Sequence, residues 1–221
     1  HRRGKRVCPN APAAGTFLFR LSGMSETVLL VGGGGREHAI ARALADEQLF
    51  AYSSNRNPGI AKLAAETRTG SETDLESIVE YASAVDATLA VIGPENALAA
   101  GVVDALDEAG IFAYGPFREQ ARLEADKAYQ RQFMEAAGIE ERPAFETFTR
   151  KADAIDFIRS VERDLAVKPR GLTGGKGVRV TGDQVSHEEA IEYLQASEHE
   201  EWVVEYRLLG EEVTVQAFVS G

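Results

Sequence analysis

Four short segments of this 221-residue chain carry residue types that could do chemistry together. The first is Gly32-Gly33-Gly34-Gly35-Arg36-Glu37-His38. Glycines let backbone approach a ligand closely, and a helix N-terminus favours an anion. A dinucleotide fingerprint fails here: its third glycine would fall on Glu37 or His38, and Ser53 and Ser54 stand where a ribose-binding acid belongs. A phosphate site fits better, with Arg36 as the phosphate candidate; a tight turn with Arg36 in solvent is the plainer reading. The second is Gly93-Pro94-Glu95-Asn96. Glu95 could hold ribose hydroxyls or a substrate amine, or simply cap a helix. The third is Lys168-Pro169-Arg170-Gly171-Leu172-Thr173-Gly174-Gly175-Lys176-Gly177-Val178. Glycines with two lysines suit a loop over a triphosphate, against a hairpin with solvated lysines. It is not a P-loop, because Arg170 and Gly177 occupy positions that need Gly and Ser or Thr. The fourth is Val203 to Glu212, an apolar strand whose edge could pair with adenine, with Glu205 beside the base and Glu212 on a ribose. Asn55, Asn57 and Gly59 are weaker candidates near the first segment.

The elements that must position these residues alternate. Buried-strand runs are expected at Thr27–Val31, Leu49–Ser53, Leu89–Ile92 and Phe112–Tyr114. Helices are expected at Glu37–Ala45, Asp74–Ala84 and Leu98–Ala109, the last stopped by Gly110. Such alternation predicts a doubly wound parallel sheet with helices on both faces, residues 24–116 forming one α/β domain. Helices near Arg118–Glu124 and Asp126–Ala137 form a connection over 117–140. From 141 to 221 the elements shorten: strands at Ala144–Phe148, Leu165–Lys168, Val178–Thr181 and Trp202–Glu205, and helices at Ala152–Ser160 and Glu188–Leu194. A strand-like run at Val213–Val219 meets the last residue, Gly221, which suggests a truncated domain.

Composition narrows the classes. The formal charge is −11, from 24 Lys+Arg and 35 Asp+Glu. Residues 1–23 hold five basic and no acidic residues, leaving 19 basic against 35 acidic from Met24 onward. That balance repels nucleic acid. Only six basic residues are lysine, a pattern of proteins from high-salt cytoplasm, although an ordinary acidic enzyme could share it. No apolar run nears the roughly 20 residues of a membrane span. A lone Cys8 excludes an internal disulfide and suits a reducing cytoplasm. Residues 1–23 have no amphipathic period, and the apolar stretch Gly15–Leu21 is broken by Thr16 and Arg20. We read them as translated sequence upstream of a start at Met24, with a short targeting leader as the other reading. No zinc-ligand spacing and no nucleophile elbow occur.

The four segments in this order resemble the phosphoribosylamine–glycine ligases, a family of ATP-grasp enzymes. The resemblance runs from Met24 to Gly221 and includes Gly33 to Ala39, Gly93-Pro94-Glu95, Tyr114-Gly115-Pro116 and Leu123-Glu124-Ala125-Asp126-Lys127. The family usually has Ser where Asp126 stands and Lys-Ala-Asp-Gly where Lys168-Pro169-Arg170-Gly171 stand. That variant, like Ser54 to Gly59, is similar to the archaeal branch. The resemblance implies a pre-ATP-grasp domain followed by the truncated first part of an ATP-grasp α+β domain. It implies ATP-dependent C–N ligation of glycine to 5-phosphoribosylamine through glycyl phosphate. Lys127, Lys168 and Lys176, with Gly174, Gly175 and Gly177, would face the ATP phosphates. Lys168 and Lys176 would be the catalytic cations. Glu205 and the backbone from Tyr206 to Leu208 would take adenine, and Glu212 the ribose. Gly34, Gly35, Arg36 and Glu95 would hold phosphoribosylamine. The implied cofactors are ATP and Mg2+ (Mn2+ being an alternative), with metal ligands beyond Gly221, so this chain alone is expected to be inactive. The implied partners are small molecules, with neither nucleic acid nor membrane. Another ATP-grasp ligase or carboxylase, a nicotinamide-dependent dehydrogenase and a non-catalytic nucleotide-binding module are the rival readings.

Overall fold

The computed structural model describes residues 25–139, 143–171, 177–211, 213 and 215. It divides into two compact units between Phe117 and Arg118.

The first unit is built on β1 (Thr27–Val31), β2 (Gln48–Ser53), β3 (Glu66–Thr69), β4 (Leu89–Ile92) and β5 (Phe112–Tyr114). All pairings are parallel, in the order β3-β2-β1-β4-β5. Strand β1 shows why this sheet is covered on both sides. Leu29 and Val31 enter one apolar cluster with Ile78, Tyr81 and Leu106, whereas Val28 and Leu30 enter another with Ala41, Leu49 and Ile60. A strand buried on both faces must be apolar at consecutive positions. The connecting helices are α1 (Gly35–Ala43), α2 (Pro58–Ala61), α3 (Leu75–Ala84), α4 (Glu95–Ala100) and α5 (Val102–Glu108).

Two details depart from the sequence expectation. The helix expected at Leu98–Ala109 starts at Glu95 and is two helices, because Gly101 sits in the left-handed region at φ 97°. Helix α2 and strand β3 were not expected. All four residues of β3 are exposed, so pairing with β2 alone defines it.

The second unit has α6 (Arg118–Ala125), α7 (Lys127–Ala136), β6 (Phe145–Phe148), α8 (Lys151–Ser160), β7 (Leu165–Pro169), β8 (Arg179–Val180), α9 (His187–Ala196) and β9 (Trp202–Tyr206). Its sheet is antiparallel, in the order β6-β9-β7-β8. Alternation sorts each strand onto two faces. Leu165 and Val167 of β7 and Trp202 and Val204 of β9 pack with α8 and α9 into one core. Lys168 and Glu205 fall on the opposite face. Lys168 pairs in register with Val203, and Ala166 with Glu205, so the lysine and the glutamate are diagonal neighbours across the β7–β9 ladder. The run Val213–Val219 lies largely outside the described residues, and its two described members, Val213 and Val215, are exposed and form no strand. Among the described residues no helix is long and apolar enough to cross a membrane.

Candidate functional site

In the first unit the candidates gather beyond the carboxyl ends of β1, β2 and β4, where open α/β sheets bind ligands. Gly34 is the N-cap of α1 and Gly35 its first residue. A side chain on Gly33 would meet Asn55 Oδ1 at 2.5 Å, whereas none of the surroundings of Gly35 lies within 4 Å. The loop is therefore tight on its inner side and open at Gly35. Asn57 Nδ2 donates to the carbonyls of Gly33 (3.0 Å) and Gly34 (3.3 Å), and Asn57 Oδ1 caps α2. Asn55 and Asn57, weak ligand candidates in sequence, are here struts under the glycine loop. Gly59 lies so close to the His38 ring that a side chain there would meet Cε1 at 2.4 Å.

Arg36 and Glu95 are brought side by side. The Arg36 guanidinium donates to Glu95 (3.4 Å), to Glu37 (3.2 Å) and to the Gly93 carbonyl, which joins the first two candidate segments. Partial burial works against the Arg36 charge, but Glu37 and Glu95 outweigh it and raise its pKa above the ordinary value. Glu37 is the organiser that sequence reading missed. It is buried and accepts from the Gly34 amide at 2.7 Å. Its signal was available, since an acid at the third helical position reaching back to the N-cap amide is a capping-box pattern. Glu95 opens α4 with its side chain half exposed.

In the second unit the centre is Lys168 on β7. Its ammonium pairs with Glu205, whose other oxygen accepts from Arg131 Nε of α7 at 2.5 Å. Glu205 is 3% exposed. Burial alone would push its pKa up, but hydrogen bonds and charges from Arg131 and Lys168 outweigh it and hold the carboxyl below its ordinary value. Glu205, expected beside adenine, is thus paired with two cations in this structure. In the backbone expected to take adenine, the Tyr206 amide donates to Ala144 (3.0 Å), and the next amide, of Arg207, donates to Asp164 (2.9 Å). Leu208 follows, with 71% of its surface exposed.

Lys127 opens α7 behind its cap Asp126. Its Nζ donates to the Gly171 carbonyl at 2.7 Å, at the start of the glycine-rich segment. Burial, and then the Lys168 charge, lower its pKa. The two ammonium groups therefore lie near one another, and a bound anion would stabilise both. Gly177, at the other end of the segment, has its carbonyl held by the Tyr193 hydroxyl at 3.1 Å. Gly174, Gly175, Lys176 and Glu212 lie outside the described residues. Among the described residues no three His, Cys, Asp or Glu gather as a metal site.

A family model described as "Phosphoribosylglycinamide synthetase, N domain" matches residues 26–124, and one described as "Phosphoribosylglycinamide synthetase, ATP-grasp (A) domain" matches residues 125–221. The chain is 47% identical over 197 residues to a phosphoribosylamine–glycine ligase of Methanocorpusculum labreanum, covering 88% of this chain and 46% of that protein. It therefore spans about half the length of that relative. Among solved structures, phosphoribosylamine–glycine ligase from Thermotoga maritima is similar with a TM-score of 0.63 at 27% identity, over 83% of this chain and 44% of that one. N5-Carboxyaminoimidazole synthetase from Staphylococcus aureus complexed with ADP is similar in fold, with a TM-score of 0.64 at 16% identity over 84% of this chain and 48% of that one. Two consecutive models of one family thus account for the chain from residue 26 to its end, and the chain belongs to the phosphoribosylamine–glycine ligases, of which it carries the N domain and part of the ATP-grasp domain.

Proposed function

We propose that this chain supplies the phosphoribosylamine-recognising domain and the first nucleotide-binding part of an ATP-dependent ligase that joins glycine to 5-phosphoribosylamine. The observation that carries the reading is the cation pair Lys127 and Lys168, held by Glu205 and Gly171 at the mouth of a glycine-rich segment. A carboxylate is a poor electrophile, so its oxygen must first become a phosphate leaving group. A glycine carboxylate oxygen attacks the γ-phosphorus of ATP and ADP departs. The phosphoribosylamine nitrogen then attacks the acyl carbon, phosphate leaves and the nitrogen loses a proton. Lys127 and Lys168, joined by Lys176, neutralise charge on the transferring phosphoryl. Gly34, Gly35 and Arg36 hold the ribose-bound phosphate, and Glu95 the ribose or the amine. Mg2+ would supply further charge neutralisation at the phosphates when bound, its ligands being expected beyond Gly221. The domain division of the sequence reading, a cytoplasmic location and adaptation to high salt complete the proposal. The lone Cys8 supports the location, and the acidic balance and the scarcity of lysine support the salt adaptation.

The test is ADP release by the full-length protein in high-salt buffer with Mg and ATP, omitting glycine and phosphoribosylamine in turn. Release that needs both supports the ligase. Release driven by bicarbonate would replace it with a carboxylase, and release indifferent to either substrate would remove the assignment.

A further inference from the structure

Arg170 lies between Lys168 and the glycines, a position that would suit a cation for a phosphate. It does not point at one. Its guanidinium forms a fork with Asp126, Nε to Oδ1 at 2.9 Å and Nη2 to Oδ2 at 3.0 Å. The remaining nitrogen donates to Glu201 at 3.1 Å. The backbone repeats the linkage: the Arg170 amide donates to the Glu201 carbonyl (3.1 Å), and the Lys127 amide donates to the Arg170 carbonyl (3.2 Å). Asp126 also accepts from the Tyr129 amide at 3.1 Å as the N-cap of α7. One carboxylate therefore fixes the start of the helix that bears Lys127 and the end of the strand that bears Lys168. Two lysines whose charges repel will drift apart unless the backbones beneath them are tied. A bidentate guanidinium–carboxylate fork is the side-chain pair best suited to setting distance and direction together.

From this geometry we infer that Asp126 and Arg170 are positioning residues. Without touching the nucleotide, their pair sets the spacing of Lys127 and Lys168 and so governs affinity for a nucleoside triphosphate. The inference rests on the proposed binding of ATP phosphates by those lysines. Hydrogen bonding from Arg170 holds the Asp126 carboxyl at about 2, so the pair stays ionised throughout the working range of an enzyme.

The experiment measures KM for ATP, KM for phosphoribosylamine, kcat and Tm of the full-length protein. The variants are Arg170→Met, Asp126→Asn, the double variant, Arg170→Lys and, as control, Lys127→Ala. Asn caps a helix as well as Asp does, so Asp126→Asn keeps α7 while removing the charged fork. Each single variant is expected to raise KM for ATP about tenfold, the scale of one charge-assisted link. The double variant should be no worse than either single one, because both remove the same contact. Arg170→Lys should recover part of the loss, and KM for phosphoribosylamine should not move. Unchanged KM for ATP, losses that multiply in the double variant, or both KM values rising together would overturn the inference. Lys127→Ala with unchanged KM for ATP would instead strike the phosphate-binding reading, and the inference with it.

Discussion

Replacing Glu205 with glutamine removes a negative charge from between two cations that the fold has drawn out of water. The Lys168 and Arg131 side chains are 19% and 15% exposed, and that of Glu205 only 3%. Breaking a buried ion pair from one side costs about 3–5 kcal/mol, because the surviving charge stays buried. Both cations keep a little water here, which puts the expected cost near the lower end, about 3 kcal/mol. With a urea slope of about 1–2 kcal/mol per molar for a unit this small, the midpoint should fall by about 2 M. The assay is built in: Trp202, the only tryptophan of the chain, is buried on β9, three residues before Glu205. Its fluorescence during urea unfolding of the 221-residue chain reads this unit. The effect has a pH signature. The folded carboxyl lies below its ordinary 4.5, so the stabilisation is present above 4.5 and lost as pH falls through the folded value. Wild type and Glu205→Gln should therefore converge in acid. In the full-length protein the substitution should weaken ADP and ATP but leave adenosine, which has no phosphate, unaffected. An unmoved midpoint would refute the pairing argument, and weakened adenosine would return Glu205 to the adenine base.

The other expectations are narrower. Gly101→Ala forces a side chain into the left-handed region at φ 97° and should cost about 1 kcal/mol, read as a Tm some 5 °C lower; a raised Tm would show that α4 and α5 can fuse. Gly93→Ala puts a Cβ 2.3 Å from Glu37 Oε1, so Glu37 must leave the Gly34 amide; steady-state kinetics of the full-length protein should show KM for phosphoribosylamine raised about tenfold and KM for ATP unchanged. Asp126, ionised down to about 2 against an ordinary 3.8, stabilises the fold above 3.8 and loses that contribution as pH falls toward 2. Thermal melts of wild type and Asp126→Asn should thus differ at neutral pH and draw together below pH 4.

What sequence could reveal followed from whether a residue's reason was local. Strand β1 was legible because both of its faces are buried, which demands apolar residues in succession. Strand β3 was not, because Glu66-Thr67-Arg68-Thr69 is exposed throughout and owes its conformation to β2. The break at Gly101 escaped because Ala99-Ala100-Gly101-Val102 keeps an apolar face across it. Lys168 stood out as a lysine closing an apolar strand beside glycines. Arg131 could not, since its meaning lies in a glutamate 74 residues away. Arg170 read as a disturbance of the loop's chemistry, yet its partner 44 residues earlier gives it a structural task instead.

The second sheet shows how one sequence rule serves both stability and chemistry. On β7 the odd positions Leu165 and Val167 face the core, and the even position Lys168 is turned to the other side. On β9 Trp202 and Val204 take the core, which sends Glu205 to the side of Lys168. A slip of one residue in the β7–β9 register would bury the lysine in the apolar cluster, at a cost no pairing could offset there. The apolar side of the ladder therefore fixes the register, and the register delivers Lys168 and Glu205 to each other. Arg131 of α7 then closes the charge balance from above the sheet. Placement of Lys168 beside Glu205 is in this sense a consequence of packing Trp202, and core substitutions there should move KM for ATP before they abolish folding.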